Sequence, residues 1–428
     1  LYNFLIQKKA SRSTMTQART PLKSLDDAWV ELLAQVAGLQ QTELISTFDA
    51  DGRVLAEAVI SSLHVPPQDN SAMDGYAVRS ADVNAQGAVL SVTQRIPAGS
   101  VGRKIEPFTA ARIFTGAPIP ADADAVVMQE DCDVVNDCEG GIRVNVVPKA
   151  GQWIRKAGED VARGAMVLQK GERLTPGSLG LAASIGLSKL SVLRQPKVAL
   201  FSTGDELVMP GDIAPENMPA GSIYNSNRFF LRSLLKRLGC VVTDMGIVPD
   251  NLEATKAALR SAAEAHDLIL TSGGVSVGEE DHIKPAVTAL GELNLWQIAI
   301  KPGKPFAYGK VGQTHFIGLP GNPVSSFITF LVLVRPFILK LQGVENSTPF
   351  ATKSIAIKAD FTWAKADKRR EFLRVKRNSS GGLDLFANQS SGVLTSAVWG
   401  DGVVDNPAGQ TIAVGDMVQF VSFAELLA

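Results

Sequence analysis

Apolar residues at Leu25, Ala28, Trp29, Leu32, Leu33 and Val36 recur at helical spacing, with Ser24 placed as a cap and Asp26 and Asp27 in the first turn. The spacing predicts an amphipathic helix over 24–36. From 41 to 165 the rhythm changes to short Val-rich blocks, such as 125–128 and 143–147, broken by Gly and Pro. Those blocks predict strands joined by turns, an irregular β-rich region, and 175–185 returns to helix. A third rhythm begins near Pro196. A strand at 198–201 precedes a helix at 227–238, whose Leu231, Leu234, Leu235 and Leu238 share one face and which Gly239 ends. Strand 241–248, helix 252–265 and strand 268–271 follow. This alternation predicts a parallel α/β sheet, whose ligands gather beyond the carboxyl ends of the strands. A helical stretch over 324–341 closes that domain and 343–348 reads as a linker. Short apolar blocks at 354–357, 372–375, 383–386 and 417–421 then predict a small all-β domain.

Length and composition fit this multidomain α/β plus β reading. At ~150 residues per domain, a chain of 428 residues holds several domains, and 45% hydrophobic with 20% charged residues marks a folded globular protein. A formal charge of −1 gives no global field for nucleic acid or an anionic membrane, so neither is an expected partner. Cys132, Cys138 and Cys240 form neither a CxxC pair nor a zinc spacing, which fits idle thiols in a reducing cytoplasm. The longest apolar run, 324–334, is shorter than the ~20 residues of a membrane span and is closed by Arg335 and Pro336. No membrane helix is expected. The N-terminal stretch carries Lys8, Lys9 and Arg12 without the long apolar run of a secretory signal. Residues 1–20 read as a disordered extension, with Met15 as a natural start.

Several polar segments carry candidate chemistry. The first is D-N-S-A-M-D-G-Y-A-V-R over 69–79, two carboxylates among small residues, which on its own is also what a surface turn looks like. F-T-G-A-P at 114–118 precedes the apolar A-V-V-M-Q-E at 125–130. A-L-F-S-T-G-D-E-L over 199–207 puts Ser202, Thr203 and Gly204 where a strand ends, beside two carboxylates, though Ser, Thr and Asp are also ordinary cap residues. In L-T-S-G-G-V-S-V-G-E-E-D over 270–281, Gly273 and Gly274 let backbone amides approach an anion. That segment lacks both G-K-[ST] and G-x-G-x-x-G, which argues against a P-loop or a dinucleotide fold. K-P-G-K-P at 301–305 precedes L-P-G-N-P at 319–323. Its prolines hold two ammonium groups near each other, at a cost in repulsion unless an anion lies between them; the alternative is a rigid exposed turn with solvated lysines.

In order and wording these segments resemble the MoeA family, which includes the E domain of gephyrin and plant counterparts, and the likeness runs from about Pro21 to the C-terminus. The resemblance implies a central α/β domain like the molybdopterin adenylyltransferases, a helical linking domain, an inserted β-rich domain and a small C-terminal β-barrel. On this chain they correspond to 195–343, to 21–45 with 162–194, to 46–161 and to 349–428. It also implies the activity of a molybdenum insertase, a molybdopterin molybdenumtransferase that moves molybdenum from molybdate to adenylylated molybdopterin with release of AMP. Other functions open to this fold are adenylylation of molybdopterin, the preceding step, and a non-catalytic scaffold of the gephyrin kind.

Carried over residue by residue, the family's functional acids match Asp74, Asp160, Glu206, Asp250 and Asp281, and its polar residue in T-G-A-P matches Thr115. Several carboxylates beside a pyrophosphate make sense only with a cation, and Mg²⁺ takes oxygen ligands with one or two carboxylates. Glu206, Asp250 and Asp281 are the metal candidates, expected to support departure of AMP. Ser272, Gly273 and Gly274 are expected to bind substrate, and Lys301 and Lys304 to hold the molybdate dianion. Arg369 and Ser391 resemble the remaining oxyanion positions, with Arg370 and Ser390 as the adjacent alternatives. Where relatives often carry Lys or Arg ahead of K-P-G-K, this chain has Gln297. The family further implies a homodimer with sites composed from both chains, and transient contact with the adenylyltransferase and with apo-molybdoenzymes or their chaperones.

Overall fold

The computed structural model describes residues 22–135, 140–275, 282–345 and 354–427. Asp281, Cys138 and the N-terminal stretch 1–20 lie outside the described residues. The chain divides into two compact units, Gln41–Leu193 and the segments that flank it on both sides.

In the smaller unit a six-stranded sheet runs in the order Ala125–Met128, Gly75–Val78, Thr109–Ile113, Ala88–Ile96, Gly141–Val144, Cys132–Val135. Every pairing is antiparallel except that of Ala88–Ile96 with Thr109–Ile113. Both faces are covered: Val78, Leu90 and Val127 pack on one, Ala77, Ile113 and Val126 on the other. A strand buried on both faces has no polar phase, which is why A-V-V-M is apolar throughout. A second core gathers Leu55, Leu174, Ala182 and Val192 around the Thr42–Ser46/Lys189–Leu193 pair and the helix Pro176–Ser184. Thr175 and Ser178 close a reciprocal cap at that helix's start.

The larger unit is built on a sheet ordered Val241–Val248, Lys197–Thr203, Leu268–Ser272, Thr314–Leu319, Pro305–Val311, Gly291–Gln297. The first four strands are parallel, as the alternation with helices predicts, and the last two pairings are antiparallel, so that Pro305–Val311 runs against both of its neighbours. The cause is local. Only Gly312 and Gln313 separate Val311 from Thr314, and a turn that short reverses the chain, with Gly312 at φ +60°. Along Lys197–Thr203, Val198 and Leu200 enter one core while Ala199 and Phe201 enter another.

The helical stretch Pro323–Leu341 spans 19 residues with mean hydropathy 1.8, so by length and composition it is apolar enough to cross a membrane, yet 89% of it is buried inside the fold. The helical stretch expected over 324–341 is present, and it continues beyond Arg335 and Pro336, where the apolar run of the sequence is interrupted. The helix passes through them because a π turn over Phe330–Val334 comes just before. Proline lacks an N–H and crowds the carbonyl four residues back, and the wider turn accommodates both. The segment's Phe330, Val334, Phe337 and Ile338 fill the core that Leu25, Ala28 and Leu32 of the Leu25–Ala34 helix also enter.

A second sheet of the larger unit runs Ile300–Lys301, Arg370–Arg377, Gly402–Asn406, Met417–Ser422, Ile355–Lys358, with Leu383–Leu385 also paired to Arg370–Arg377. Its first strand comes from the α/β segment: Ile300 and Lys301 lie parallel to Arg370 and Glu371. Nothing in local periodicity announces that pairing.

Candidate active site

Three parallel strands end side by side, with Thr203 opposite Val248 and Ser202 opposite Ser272. Glu206 follows the first, Asp250 the second, and Gly273 and Gly274 the third. Gly204 has φ +140°, and a Cβ there would lie 2.5 Å from a Glu206 carboxylate oxygen, so glycine leaves room for that side chain to fold back. Gly273 and Gly274 have φ +93° and +66°; a Cβ on Gly274 would meet Ile283 Cγ1 at 2.5 Å. Asn251, next to Asp250, accepts the Ala254 amide at 2.9 Å and starts the helix Leu252–Ala265. Among the described residues no three His, Cys, Asp or Glu form a metal-binding group. Glu206 and Asp250 bring the oxygen donors that Mg²⁺ prefers to the ends of adjacent strands, and the third candidate, Asp281, lies outside the described residues.

A chain of hydrogen bonds ties these strand ends to the other predicted loops. Buried Asn227 donates to Ser272 Oγ and to the Gly321 carbonyl, both at 2.7 Å, and the Gly273 amide donates to the Leu319 carbonyl at 3.0 Å. The L-P-G-N-P segment thus lies against the glycine pair and leads into the helix Pro323–Thr329. The Val324 amide donates to the Ser391 carbonyl at 2.9 Å, which fastens the serine loop to that helix's start. K-P-G-K touches the same helix: Gly303, at φ +111°, sits where a Cβ would be 2.3 Å from Thr329 Oγ1.

Behind the serine loop lies Arg374, which the sequence reading did not single out. It is 1% exposed and donates to the Ser390 carbonyl at 3.3 Å, Ser396 Oγ at 3.1 Å and the Phe372 carbonyl at 2.9 Å. Burial pulls its pKa down to about 10, which leaves it charged at neutral pH. The signal available was positional, for Arg374 shares a strand phase with Phe372, which enters the core.

Lys301 is not a solvated lysine. Its ammonium lies 2.9 Å from Glu371 Oε1, 3.3 Å from Asp367 Oδ2 and 5.7 Å from the centre of the Trp363 ring. Glu371 is 1% exposed and its other oxygen accepts Trp363 Nε1 at 2.8 Å. Asp367 also takes Arg369 in two contacts, Nε at 3.0 Å and Nη2 at 2.9 Å, and Arg369 chiefly holds the Asp367 carboxyl well below the usual range. Lys301 and Arg369 therefore meet around one carboxylate. The charge compensation that the lysine pair requires comes, for Lys301, from the chain itself. Lys304 is exposed, and its carbonyl accepts the Ile298 amide at 2.7 Å. Arg370, one strand position on, pairs instead with Asp405 and Asp26, where it helps line a cleft of about 420 Å³.

In the smaller unit Asp74 Oδ1 accepts the Thr115 amide at 2.8 Å and its hydroxyl at 2.7 Å, which holds the Asp74 carboxyl below its ordinary pKa. D-G-Y and T-G-A-P are thus brought together, with both side chains exposed. Asp69 of the same loop binds Lys156 Nζ at 2.8 Å and the Ala157 amide at 2.9 Å, tying the loop to the turn that carries Asp160. Asp160 is exposed, and its amide donates to the Val65 carbonyl at 3.0 Å.

Comparison with known proteins matches this organisation along the chain. Residues 23–186 match the MoeA N-terminal region (domain I and II), 199–340 a probable molybdopterin binding domain, and 356–423 the MoeA C-terminal region (domain IV). The molybdopterin molybdenumtransferase of Haemophilus influenzae is 47% identical over 321 residues, 75% of this chain and 78% of that one. Molybdopterin molybdenumtransferase 2 of Mycobacterium tuberculosis is 35% identical over 384 residues, covering 86% and 92%. The crystal structure of the molybdopterin biosynthesis moeA protein from Pyrococcus horikoshii OT3 superposes with a TM-score of 0.80 at 28% identity, over 94% of this chain and 100% of that one. With matched regions at both ends and in the middle, and relatives this similar over most of their length, the chain belongs to the MoeA family.

Proposed function

We infer that the protein is a molybdopterin molybdenumtransferase: it takes molybdate and molybdopterin as substrates and makes molybdenum cofactor. The observation that carries this reading is the family match over nearly the whole chain, with relatives of that name. We propose adenylylated molybdopterin as the form accepted, with AMP released. The open backbone at Gly273 and Gly274 suits an anionic substrate at the strand ends, next to Ser272. Glu206, Asp250 and Asp281 would hold Mg²⁺, which when bound supplies charge neutralisation at the pyrophosphate. Lys301, Lys304, Arg369 and Ser391 would hold molybdate, with the buried charge of Arg374 adding positive potential behind the serine loop. Asp74, Thr115 and Asp160, in the other compact unit, would reach a substrate through a homodimer in which each site takes residues from both chains. The cytoplasm suits these roles, with the adenylyltransferase as donor of substrate and apo-molybdoenzymes or their chaperones as acceptors.

The test is to follow AMP release from adenylylated molybdopterin with and without molybdate and Mg²⁺, beside an assay of molybdopterin adenylylation. Molybdate-dependent AMP release that chelation abolishes is the expected result. Adenylylation without such release would assign the chain to the preceding step, and undiminished turnover after chelation would remove the metal from the reading.

A further inference from the structure

The cationic site around Lys301 already contains an anion. Asp367 lies where Lys301 and Arg369 converge, with Oδ2 3.3 Å from Lys301 Nζ and 2.9 Å from Arg369 Nη2, and Oδ1 3.0 Å from Arg369 Nε. Glu371 grips Lys301 as well, but the two carboxylates differ in how they are held. The Glu371 side chain is 1% exposed and is fastened by Trp363. The Asp367 side chain is 19% exposed, and both charged groups that hold it are oxyanion ligands on the reading above.

We propose that Asp367 is a built-in competitor for the oxyanion, a residue that selects divalent tetrahedral anions over monovalent ones. The inference rests on the assignment of Lys301 and Arg369 to the molybdate site. A monovalent anion that displaced Asp367 would exchange one negative charge for another and lose a two-point contact to Arg369. A tetrahedral dianion brings twice the charge and enough oxygens to engage Lys301 and Arg369 together. Glu371 keeps the lysine in place during the exchange. Since Arg369 holds the Asp367 carboxyl ionised far below neutral pH, the competitor stays charged at every pH above the ordinary carboxylate range.

Calorimetric titration of the full chain with sulfate and with molybdate tests this, with nitrate added as a competing monovalent anion. Asp367→Asn is expected to bind both dianions about two- to fivefold more tightly, the range of a partly exposed ion pair, and to become sensitive to nitrate concentrations that leave the unaltered protein unaffected. Asp367→Glu, which restores the charge, should restore the selection. Lys301→Gln should weaken both dianions. A protein that merely uses Asp367 as a structural brace would lose affinity with its removal. Unchanged or weaker dianion binding by Asp367→Asn, with Lys301→Gln weakened, overturns the competitor role and leaves the site assignment standing. Dianion binding untouched by Lys301→Gln overturns the assignment, and the competitor role with it. Melting curves establish that each variant is folded, and Asp367→Ser replaces Asp367→Asn if the latter is not.

Discussion

His315 carries a pH dependence that the proposed chemistry does not use. It lies in the Thr314–Leu319 strand, its Nδ1 is 2.9 Å from the Tyr308 hydroxyl, and the Phe337 ring stands edge-on to it. Burial, helped by Lys310, pushes its pKa down to about 4, against the ordinary value of 6.5. The unfolded chain therefore binds a proton between these values that the folded chain does not. Stability from the neutral ring is fully present above pH 6.5 and is lost as pH falls towards 4. Allowing for partial exposure, the loss is on the order of 2 kcal/mol. Urea midpoints measured from pH 7 to 4.5 should fall, and His315→Asn should flatten that slope; an identical slope in the variant would assign the acid sensitivity to other groups. At this scale the chemistry of single residues was legible where partners are near in sequence, as with Ser24 and Asp27. The cage around Lys301 was not, because Asp367 and Glu371 follow it by some 70 positions.

Among the elements, the helix Pro323–Thr329 gathers the loops, receiving Gly303, the Ser391 carbonyl and the segment that Asn227 clasps. Gly303→Ala places a methyl group against Thr329 Oγ1 at a left-handed φ, so loss of about 1–3 kcal/mol is expected, as for overpacking. The K-P-G-K loop must then shift, so half-saturating molybdate should rise by more than the fraction of unfolded protein explains. Equal half-saturation in the folded variant would separate the loop's geometry from anion binding. The helices and strands with strong periodicity were readable: 241–248 and 252–265 match the observed Val241–Val248 and Leu252–Ala265, and Leu231, Leu234 and Leu235 are buried together. The antiparallel edge, Gly291–Gln297 with Pro305–Val311, was not foreseen, since strand direction depends on a pairing partner and not on a segment's own pattern. The helical stretch 324–341 was readable as a whole, but the π turn within it was not, because a backbone adjustment of that kind has no sequence period.

For the whole molecule, the division into two compact units puts Asp74 in one and Lys301 in the other. If each site is composed across a homodimer, as proposed above, pairing an Asp74→Ala subunit with a Lys301→Ala subunit concentrates both lesions in one site and leaves the other intact. Random mixing of the two inactive parents should therefore restore about a quarter of normal activity, as half the dimers are mixed and each has one good site. Mixtures as inactive as the parents would mean that each chain supplies its whole site.

The contribution of Ile300 and Lys301 to the second sheet limits how this protein can be cut into parts. A recombinant fragment starting at Ser354 would leave Arg370 and Glu371 as a bare sheet edge, open to pairing with another copy, and would strand the buried Glu371 without its lysine. The C-terminal region is thus no interchangeable cassette: whatever a designer or a gene fusion moves must take the K-P-G-K segment along, and with it the lysine that neutralises Glu371.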